Sequence, residues 1–275
     1  MTSHSVTDFF FRLRWPHGFR CPRCAYHEYY LIQSRSLPLY QCRLCGKQTS
    51  LTAGTLMHKS RTPLEKWMAA FDTLASVAGM CATKLAAAIG VTYKVAWTMM
   101  SKFRIAMGEA EREHKLEGTV FTGLRILAPK YILMFFPARH YRVERVVALS
   151  ASVDTTGRPT AIKLHMVQSQ DLKPGMKVAT EEGRERLIAQ AAAGHSNAQW
   201  LHEWPRFPGL LKACFAEARQ WFVEVFNGIG TKYLQRYLDE YCFRWNTLAR
   251  GANLRTAWLH LCFGQPQSAN LQQAA

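Results

Sequence analysis

The chain has 275 residues, of which 48% are hydrophobic, and it carries a formal net charge of +16 at pH 7. This length accommodates two or three small domains, and the apolar content excludes global disorder. Its uncharged apolar stretches fall well short of the roughly 20 residues that a bilayer-spanning helix needs. The excess of lysine and arginine must lie on the surface, where it suits a polyanion such as nucleic acid.

A basic segment comes first along the chain. Between residues 9 and 62 there are nine lysines and arginines but one acid, Glu28. The segment is therefore predicted to be a basic module that faces a polyanion. The nine basic residues are Arg12, Arg14, Arg20, Arg23, Arg35, Arg43, Lys47, Lys59 and Arg61.

Four of the eight cysteines form two pairs within this segment. Cys21, Cys24, Cys42 and Cys45 have the spacing C-x2-C-x17-C-x2-C, in which two turns each supply two sulfur ligands to a tetrahedral Zn²⁺. Residues 1–6 lack the pattern of a secretion leader, so we expect a cytoplasmic protein, in which disulfides are disfavoured. A redox site would use one Cys-x-x-Cys pair rather than two at this spacing. The sequence therefore predicts a zinc ribbon, with a chance spacing of free thiols as the alternative.

The ribbon has either a DNA-binding role or a purely stabilising one. Six basic residues lie within it or just beside it, which favours DNA binding. The predicted DNA contacts of the ribbon are Arg20, Arg23, Arg43 and Lys47.

Three helices are predicted next. Apolar residues recur at intervals of three and four from Pro63, with Thr62 as the N-cap and Pro63 at the first helical position. Thr83 is predicted to cap a helix over residues 84–89, which Gly90 ends. Thr92 is predicted to cap a further helix that runs to about residue 113.

The second and third helices have the pattern of a helix-turn-helix. The span 83–104 contains four basic residues and no acid, and the second helix of such a pair enters the major groove of DNA. The predicted base-reading residues are Thr92, Tyr93, Lys94 and Trp97, and Lys102 and Arg104 are predicted to lie nearer the phosphates. The alternative is a pair of packed core helices with solvated lysines.

Beyond residue 115 the pattern becomes rich in β-formers. Three strands with a turn at residues 154–157 indicate a meander at the edge of a mixed sheet. The predicted strands are 119–127, 143–153 and 160–167, and the predicted helices are 180–193, 210–226 and 231–246. Residues 196–209 are predicted to be a loop, and 265–275 a disordered tail.

The order of these features resembles bacterial insertion-sequence transposases with an N-terminal zinc ribbon. The resemblance rests on the ribbon, on residues 48–56 (QTSLTAGTL), on Pro63-Leu-x-x-Trp67 and on the helix pair. The run YLQRYLDEYCFRWN at residues 233–246 is similar to the end of their catalytic domain. The resemblance covers roughly residues 9–250. It implies a ribonuclease H-like domain from about residue 115, a nucleoid-associated protein, and homo-oligomers that bind the ends of an element.

In this family three acids hold two Mg²⁺ or Mn²⁺ ions, which activate a water or a 3′-hydroxyl and stabilise the leaving oxygen of a phosphodiester. The resemblance aligns the first acid with about Gly123, the second with Glu181 and the third with Glu217. Loss of the first acid implies little or no strand transfer, because that residue contacts both ions. Solvated helix charge is the alternative interpretation of Glu181, Glu182 and Glu217.

The predicted function is that of a DNA-binding transposase-family protein whose catalytic acids are degraded. One alternative is a working metal-dependent nuclease or transposase that uses Glu181, Glu217 and a further acid such as Asp154. Another is a domesticated DNA-binding regulator. The predicted fold is a multidomain α+β or α/β chain, with a zinc ribbon (9–60), a helix-turn-helix region (61–113), a degenerate ribonuclease H-like domain (114–250) and a C-terminal tail (251–275).

Overall fold

A computed structural model describes residues 3–34, 37–75, 79–127, 145–201, 209–226 and 230–263. Within these residues the fold is mixed α/β, with two sheets and eight α-helices, which confirms the mixed class predicted from sequence. The helices are α1 (Ser3–Arg14), α2 (Leu64–Leu74), α3 (Ala82–Ile89), α4 (Tyr93–Glu113), α5 (Glu181–Ala191), α6 (Gly209–Val225), α7 (Leu234–Ala249) and α8 (Leu254–Phe263). None of the described helices is long and apolar enough to cross a membrane.

The chain divides into two compact units. The first unit consists of the described residues within Met1–Ser76, Ala82–Phe103 and Arg255–Ala275. The second consists of those within Val77–Cys81 and Arg104–Leu254. Helix α4 contributes to both, because its residues up to Phe103 belong to the first unit and the rest belong to the second.

The first unit contains a small antiparallel sheet. Its strands are β1 (Tyr29–Ile32), β2 (Leu39–Cys42) and β3 (Gln48–Ser50), in the order β1-β2-β3. The register pairs Tyr29 with Cys42 and Tyr40 with Thr49. The central strand therefore ends at the first residue of the second cysteine pair.

Aromatic side chains from four helices fill the core of the first unit. The ring of Phe71 on α2 lies 6.1 Å from that of Phe10 on α1 and 5.2 Å from that of Phe103 on α4. The ring of Phe103 lies 4.9 Å from that of Trp258 on α8, and all four side chains are almost fully buried. Residues 254–263 were predicted to belong to a tail, but they form a helix. The helix is stabilised because Trp258 is buried in this core.

The helix starts follow the predicted pattern in part. Pro63 is itself the N-cap residue of α2, so the prediction of Thr62 as N-cap was wrong. Thr83 is the second residue of α3, which begins at Ala82, so Thr83 is not the predicted cap of this helix. Gly90 has φ +64° and ends α3 as predicted, and the hydroxyl of Thr92 accepts a hydrogen bond from the Val95 amide (3.4 Å) at the start of α4.

The second unit is built on a four-stranded mixed sheet. Its strands are β4 (Thr119–Leu127), β5 (Arg145–Val153), β6 (Pro159–Met166) and β7 (Asn197–Trp200), in the order β6-β5-β4-β7. The first three are antiparallel, which confirms the predicted meander, and β7 is parallel to β4. The prediction of a loop over 196–209 was wrong at β7, because four residues are too few to show an alternating pattern.

Helices cover both faces of this sheet. Val147, Leu149 and Ala151 alternate along β5 and pack with α6 and α7. On the opposite face, Val120 of β4 packs with Ala191 of α5. The sheet is therefore the middle layer of a three-layer α/β/α arrangement.

Two amide side chains of α7 satisfy the outward backbone groups of the edge strand β6. The Asn246 Oδ1 accepts from the Ile162 amide (2.8 Å), and its Nδ2 donates to the Ile162 carbonyl (2.9 Å). Gln235 accepts from the Met166 amide (2.8 Å) and donates to the Leu164 carbonyl (3.0 Å). Because they lie about three helical turns apart, both side chains face the strand. This contact protects an edge that would otherwise template aggregation.

Asn246→Ala should lower the free energy of unfolding of the second unit by about 2–4 kcal/mol, because it leaves both backbone groups of Ile162 buried without partners. The measurement is urea-induced unfolding followed by circular dichroism. Asn197→Ala, at an exposed position on β7, is the matched control and should change stability by less than about 0.5 kcal/mol. Equal effects of the two substitutions would show that Asn246 does not hold the edge strand.

Candidate metal centre and nucleic-acid interface

The four paired cysteines converge on one point in the first unit. Cys21 Sγ lies 3.6 Å from Cys45 Sγ, and Cys24 Sγ lies 3.6 Å from Cys42 Sγ. All four sulfurs lie within 4.8 Å of one another, and the cysteines are free rather than disulfide-bonded. Zn–S bonds of about 2.3 Å place the sulfurs of a tetrahedral site about 3.8 Å apart. The arrangement thus fits a structural zinc ion.

Each cysteine pair lies in a turn of the same backbone design. We call residues 21–24 the first knuckle and residues 42–45 the second. In the first, the amide of Ala25 donates to the Cys21 carbonyl (2.9 Å), and in the second the amide of Gly46 donates to the Cys42 carbonyl (3.0 Å). Ala25 and Gly46 both have positive φ, +58° and +68°. The shared geometry points both sulfurs of each knuckle toward the same centre.

The crowded sulfurs affect one another's ionisation. Desolvation alone raises the pKa of Cys21, but the amides of Arg23 and Cys24 and the neighbouring thiols stabilise its thiolate and lower the pKa to about 6. For Cys24, the Tyr26 amide lowers the pKa, whereas desolvation and the neighbouring thiols raise it to about 12. The two shifts have opposite directions, so the thiolate is favoured at Cys21 and the thiol at Cys24, since adjacent thiolates repel. A bound dication removes that repulsion and displaces the protons.

An aromatic cluster supports the sheet beneath the sulfurs. Phe11 and Trp15, from α1 and the residues after it, lie 5.1 Å apart between ring centres, and Trp15 lies 5.1 Å from Tyr40. Phe19 and Tyr29 lie 5.0 Å apart. Burial raises the pKa of Tyr40 to about 12. The sequence prediction did not include α1, although the three consecutive phenylalanines at 9–11 could have indicated a buried helix there.

All four predicted DNA contacts of the ribbon are exposed. They lie in or beside the two knuckles, where they form a basic surface. Arg43 stacks its guanidinium 4.7 Å from the ring centre of Tyr30 and pairs with the Glu28 carboxylate at 3.4 Å. Because Arg43 and Glu28 are both about half exposed, this ion pair is weak. The members of this basic ribbon surface are Arg20, Arg23, Arg43 and Lys47.

The predicted reading helix exposes its first turn. Thr92, Tyr93 and Lys94 are exposed at the start of α4, and Trp97 is half-buried. The preceding helix α3 is fixed by Lys66 of α2, whose Nζ donates to the Ile89 carbonyl at 2.6 Å. An ammonium group at the carboxyl end of a helix also interacts favourably with the helix dipole. Sequence reasoning missed this role of Lys66, since a single lysine on α2 gives no sign of its partner.

Lys102, predicted to lie near phosphates, is buried. Its Nζ donates to the His58 carbonyl at 2.7 Å, and only 8% of the residue is exposed. Burial lowers the pKa of Lys102. Arg14 of the basic segment is engaged in the same way, because its guanidinium donates to the carbonyls of Leu51 and Ala53. These two cations stabilise the first unit from within.

Arg104, the other predicted phosphate contact, lies in the interior of the second unit. Its Nε lies 2.7 Å from the Glu240 carboxylate, which also pairs with Arg244 at 3.2 Å. The Arg104 guanidinium stacks on Tyr237, 4.0 Å from the ring centre. A phosphate contact would require Arg104 to leave these buried partners at a cost of several kcal/mol. Lys102 and Arg104 are therefore engaged inside the protein rather than presented to phosphates.

Two of the positions aligned with catalytic acids have structural roles. Gly123 is buried in β4, where it pairs with Leu149 of β5. Glu181 is exposed at the first turn of α5. There the Thr180 hydroxyl accepts from the Gly183 amide (3.0 Å), and a side chain at Gly183 would collide with the backbone of Asp171. The Thr-Glu-Glu-Gly sequence is thus explained as a helix cap that packs closely on a neighbouring segment.

Glu217 and Asp154 lie apart from any metal-ligand cluster in the described part of the chain. Glu217 is exposed in the middle of α6. The Asp154 carboxylate accepts from the Thr156 hydroxyl (2.7 Å) and from the Arg158 amide (2.9 Å) in the predicted turn between β5 and β6. These hydrogen bonds lower the pKa of Asp154. Of the residues that the structure describes, only the four ribbon cysteines bring together three or more side chains able to hold a metal ion.

Comparison with known protein families gives a match at the N-terminus. Residues 1–48 match the family model of the transposase zinc-ribbon domain, a span that includes α1 and all four cysteines. This span is less than a fifth of the chain. Neither a curated protein nor a solved structure matches the sequence. Over this N-terminal segment the chain is therefore similar to transposase zinc ribbons, in agreement with the geometry of the sulfurs.

Freshly purified protein should contain about one zinc ion per chain, as one tetrahedral site requires. Cys21→Ser should abolish this binding, because it removes a buried thiolate ligand. The measurement is elemental analysis together with thiol titration after chelation. Cys262→Ser, at a buried cysteine of α8 outside the cluster, is the control and should retain the metal. Zinc-free wild-type protein would contradict the assignment.

Proposed function

We propose that the chain is a DNA-binding protein of insertion-sequence transposase descent whose catalytic site is degraded. The observation that carries this proposal is the four-cysteine centre. It lies in the segment that matches the transposase zinc-ribbon family, and exposed arginines lie beside it. The ribbon surface and the first turn of α4 would together hold double-stranded DNA. Phosphates would be held by the arginines and lysines, and base edges would be read by α4 in a major groove.

The topology of the second unit supports the proposed descent. Three antiparallel strands are followed by a fourth strand, β7, that is parallel to the first and lies beside it. The resemblance implies a ribonuclease H-like domain, and this strand order is compatible with one. In such a domain the first catalytic acid lies on the first strand, which is β4 here. The aligned residue, Gly123, offers no ligand to a metal ion.

Glu181 does not have the position of the family's second acid. The second acid of the family follows the fourth strand, whereas Glu181 begins the helix before β7. Glu181 and Glu217 are both exposed, and neither belongs to a cluster of potential ligands among the described residues. The residues directly after β7, at 202–208, lie outside the described part of the chain. Two-metal chemistry needs carboxylates that hold both ions about 4 Å apart, and the described acids do not supply them.

A regulator that keeps only the DNA-binding modules would use the same surfaces. The proposal therefore includes double-stranded DNA as the partner, a zinc ion as the structural cofactor, and a bacterial nucleoid-associated location. Homo-oligomers on paired DNA ends belong to the same proposal, since they follow from the proposed descent.

The protein should bind duplex DNA with a steep dependence on salt. If Lys94 and the four members of the basic ribbon surface each neutralise one phosphate, affinity should fall roughly 10²- to 10³-fold between about 50 mM and 200 mM salt. Fluorescence anisotropy with a labelled mixed-sequence duplex measures this. Salt-independent binding, or none, would refute the proposal.

Lys94→Ala should weaken DNA binding by about three- to tenfold and reduce the salt slope by about one, because it removes one cation from the first turn of α4. Lys173→Ala is the matched control, since it makes the same charge change at an exposed position in the second unit. The anisotropy titration is repeated for each variant. Equal effects of the two substitutions would indicate that only net charge matters.

The protein should not nick supercoiled plasmid DNA in Mg²⁺ or Mn²⁺ above the level of a metal-chelated sample, because the first-strand ligand is absent at Gly123. Gel electrophoresis of the plasmid forms measures this. Nicking that Glu181→Ala or Glu217→Ala abolishes would show instead that a working site exists.

A further inference from the structure

Leu44 lies at the tip of the second knuckle, between Cys42 and Cys45. It is 68% exposed, which makes it the most exposed large hydrophobic side chain among the described residues. The knuckle backbone is held by hydrogen bonds from the Gly46 amide to the Cys42 carbonyl (3.0 Å) and from the Arg43 amide to the Glu28 carbonyl (3.1 Å). The leucine is therefore presented to solvent from a restrained turn.

The fold does not need an apolar side chain at this position. The first knuckle has the same backbone geometry, and its equivalent residue is the exposed Arg23. A charged residue is thus compatible with the turn. Leu44 is also not an isolated case, because Tyr30 and Leu31 of the same small ribbon are exposed as well, 57% and 48%. Several exposed large hydrophobic side chains in one small module are typical of a binding surface.

The charges around Leu44 favour a polyanion as the partner. All four members of the basic ribbon surface are exposed, and Glu28 is the one acid between residues 9 and 62. Arg43, next to Leu44 in sequence, is held against Tyr30 with its guanidinium 4.7 Å from the ring centre. An apolar side chain among cations suits a nucleic acid better than an apolar protein surface.

The size of the knuckle selects the groove. The major groove, about 12 Å wide, accepts an α-helix or a two-stranded ribbon. The tip of the knuckle is smaller than either, because it consists of Arg43 and Leu44 between two cysteines. The minor groove is about 6 Å wide, attracts arginine by its negative potential, and accepts apolar side chains that separate base steps and bend the duplex. We infer that Arg43 and Leu44 enter the minor groove of double-stranded DNA, with Leu44 as an apolar wedge between base pairs.

This inference rests on the proposed DNA-binding function and adds the groove and the residue that deforms it. The test uses the zinc-loaded full chain and a duplex with an A·T-rich centre, labelled at its two ends for energy transfer. Wild type should bend the duplex, and netropsin, which fills the minor groove, should compete with it. Leu44→Ala should lose the bend and bind roughly tenfold more weakly, by loss of one buried leucine contact. Leu44→Met, which keeps a long apolar side chain, should retain both properties.

Leu210→Ala is the matched control, since Leu210 is 47% exposed on α6 in the second unit. It should behave as wild type, and the zinc content of every variant should stay unchanged. If wild type binds DNA but Leu44→Ala bends it equally, the wedge is wrong and the proposed function stands. If wild type does not bind duplex DNA, both fail. If Leu44→Ala instead reduces self-association measured by light scattering without DNA, Leu44 is a contact between copies and the wedge is likewise wrong.

Discussion

The convergence of four sulfurs is the constraint on which the N-terminal region depends. Its strands have only three or four residues each, too few to bury a core of their own. Two turns of matching geometry aim the sulfurs inward, and a bound zinc ion would link the turns through about four strong bonds. The same turns necessarily aim their remaining residues outward. Arg23, Arg43 and Leu44 are exposed because their neighbours in sequence are ligands.

In the second unit the packing of α7 has the corresponding role. Gln235 and Asn246 pair with the edge strand, and Glu240 neutralises the buried Arg104. The motif run at residues 233–246, which resembles the end of a catalytic domain, is thus explained here by folding contacts. The fold would therefore persist if, as we propose, its chemistry were lost. Gly123 fits the strand ladder as well as an acid would, since backbone pairing does not depend on the side chain.

Basic residues in this chain serve two different purposes. Those beside the cysteines and on the first turn of α4 are exposed and weakly engaged, which leaves them able to contact phosphates. Lys102 and Arg14 instead donate to backbone carbonyls of the first unit, and Arg104 pairs with a buried carboxylate. The net charge of +16 therefore overstates the number of cations that are free to contact a polyanion such as DNA.

The sequence by itself determined the elements whose signals are local. The spacing of four cysteines predicted the metal centre, and alternation and helical periodicity predicted β4, β5, β6 and most helices to within a few residues. Only the tertiary structure decided which distant groups meet. Four-residue β7, helix α8 and the burial of Lys102 and Arg104 depend on partners far along the chain, and a local pattern carries no information about such partners. The physical reason is that burial and strand pairing are properties of the packed chain, whereas ligand spacing and amphipathic period are properties of short segments.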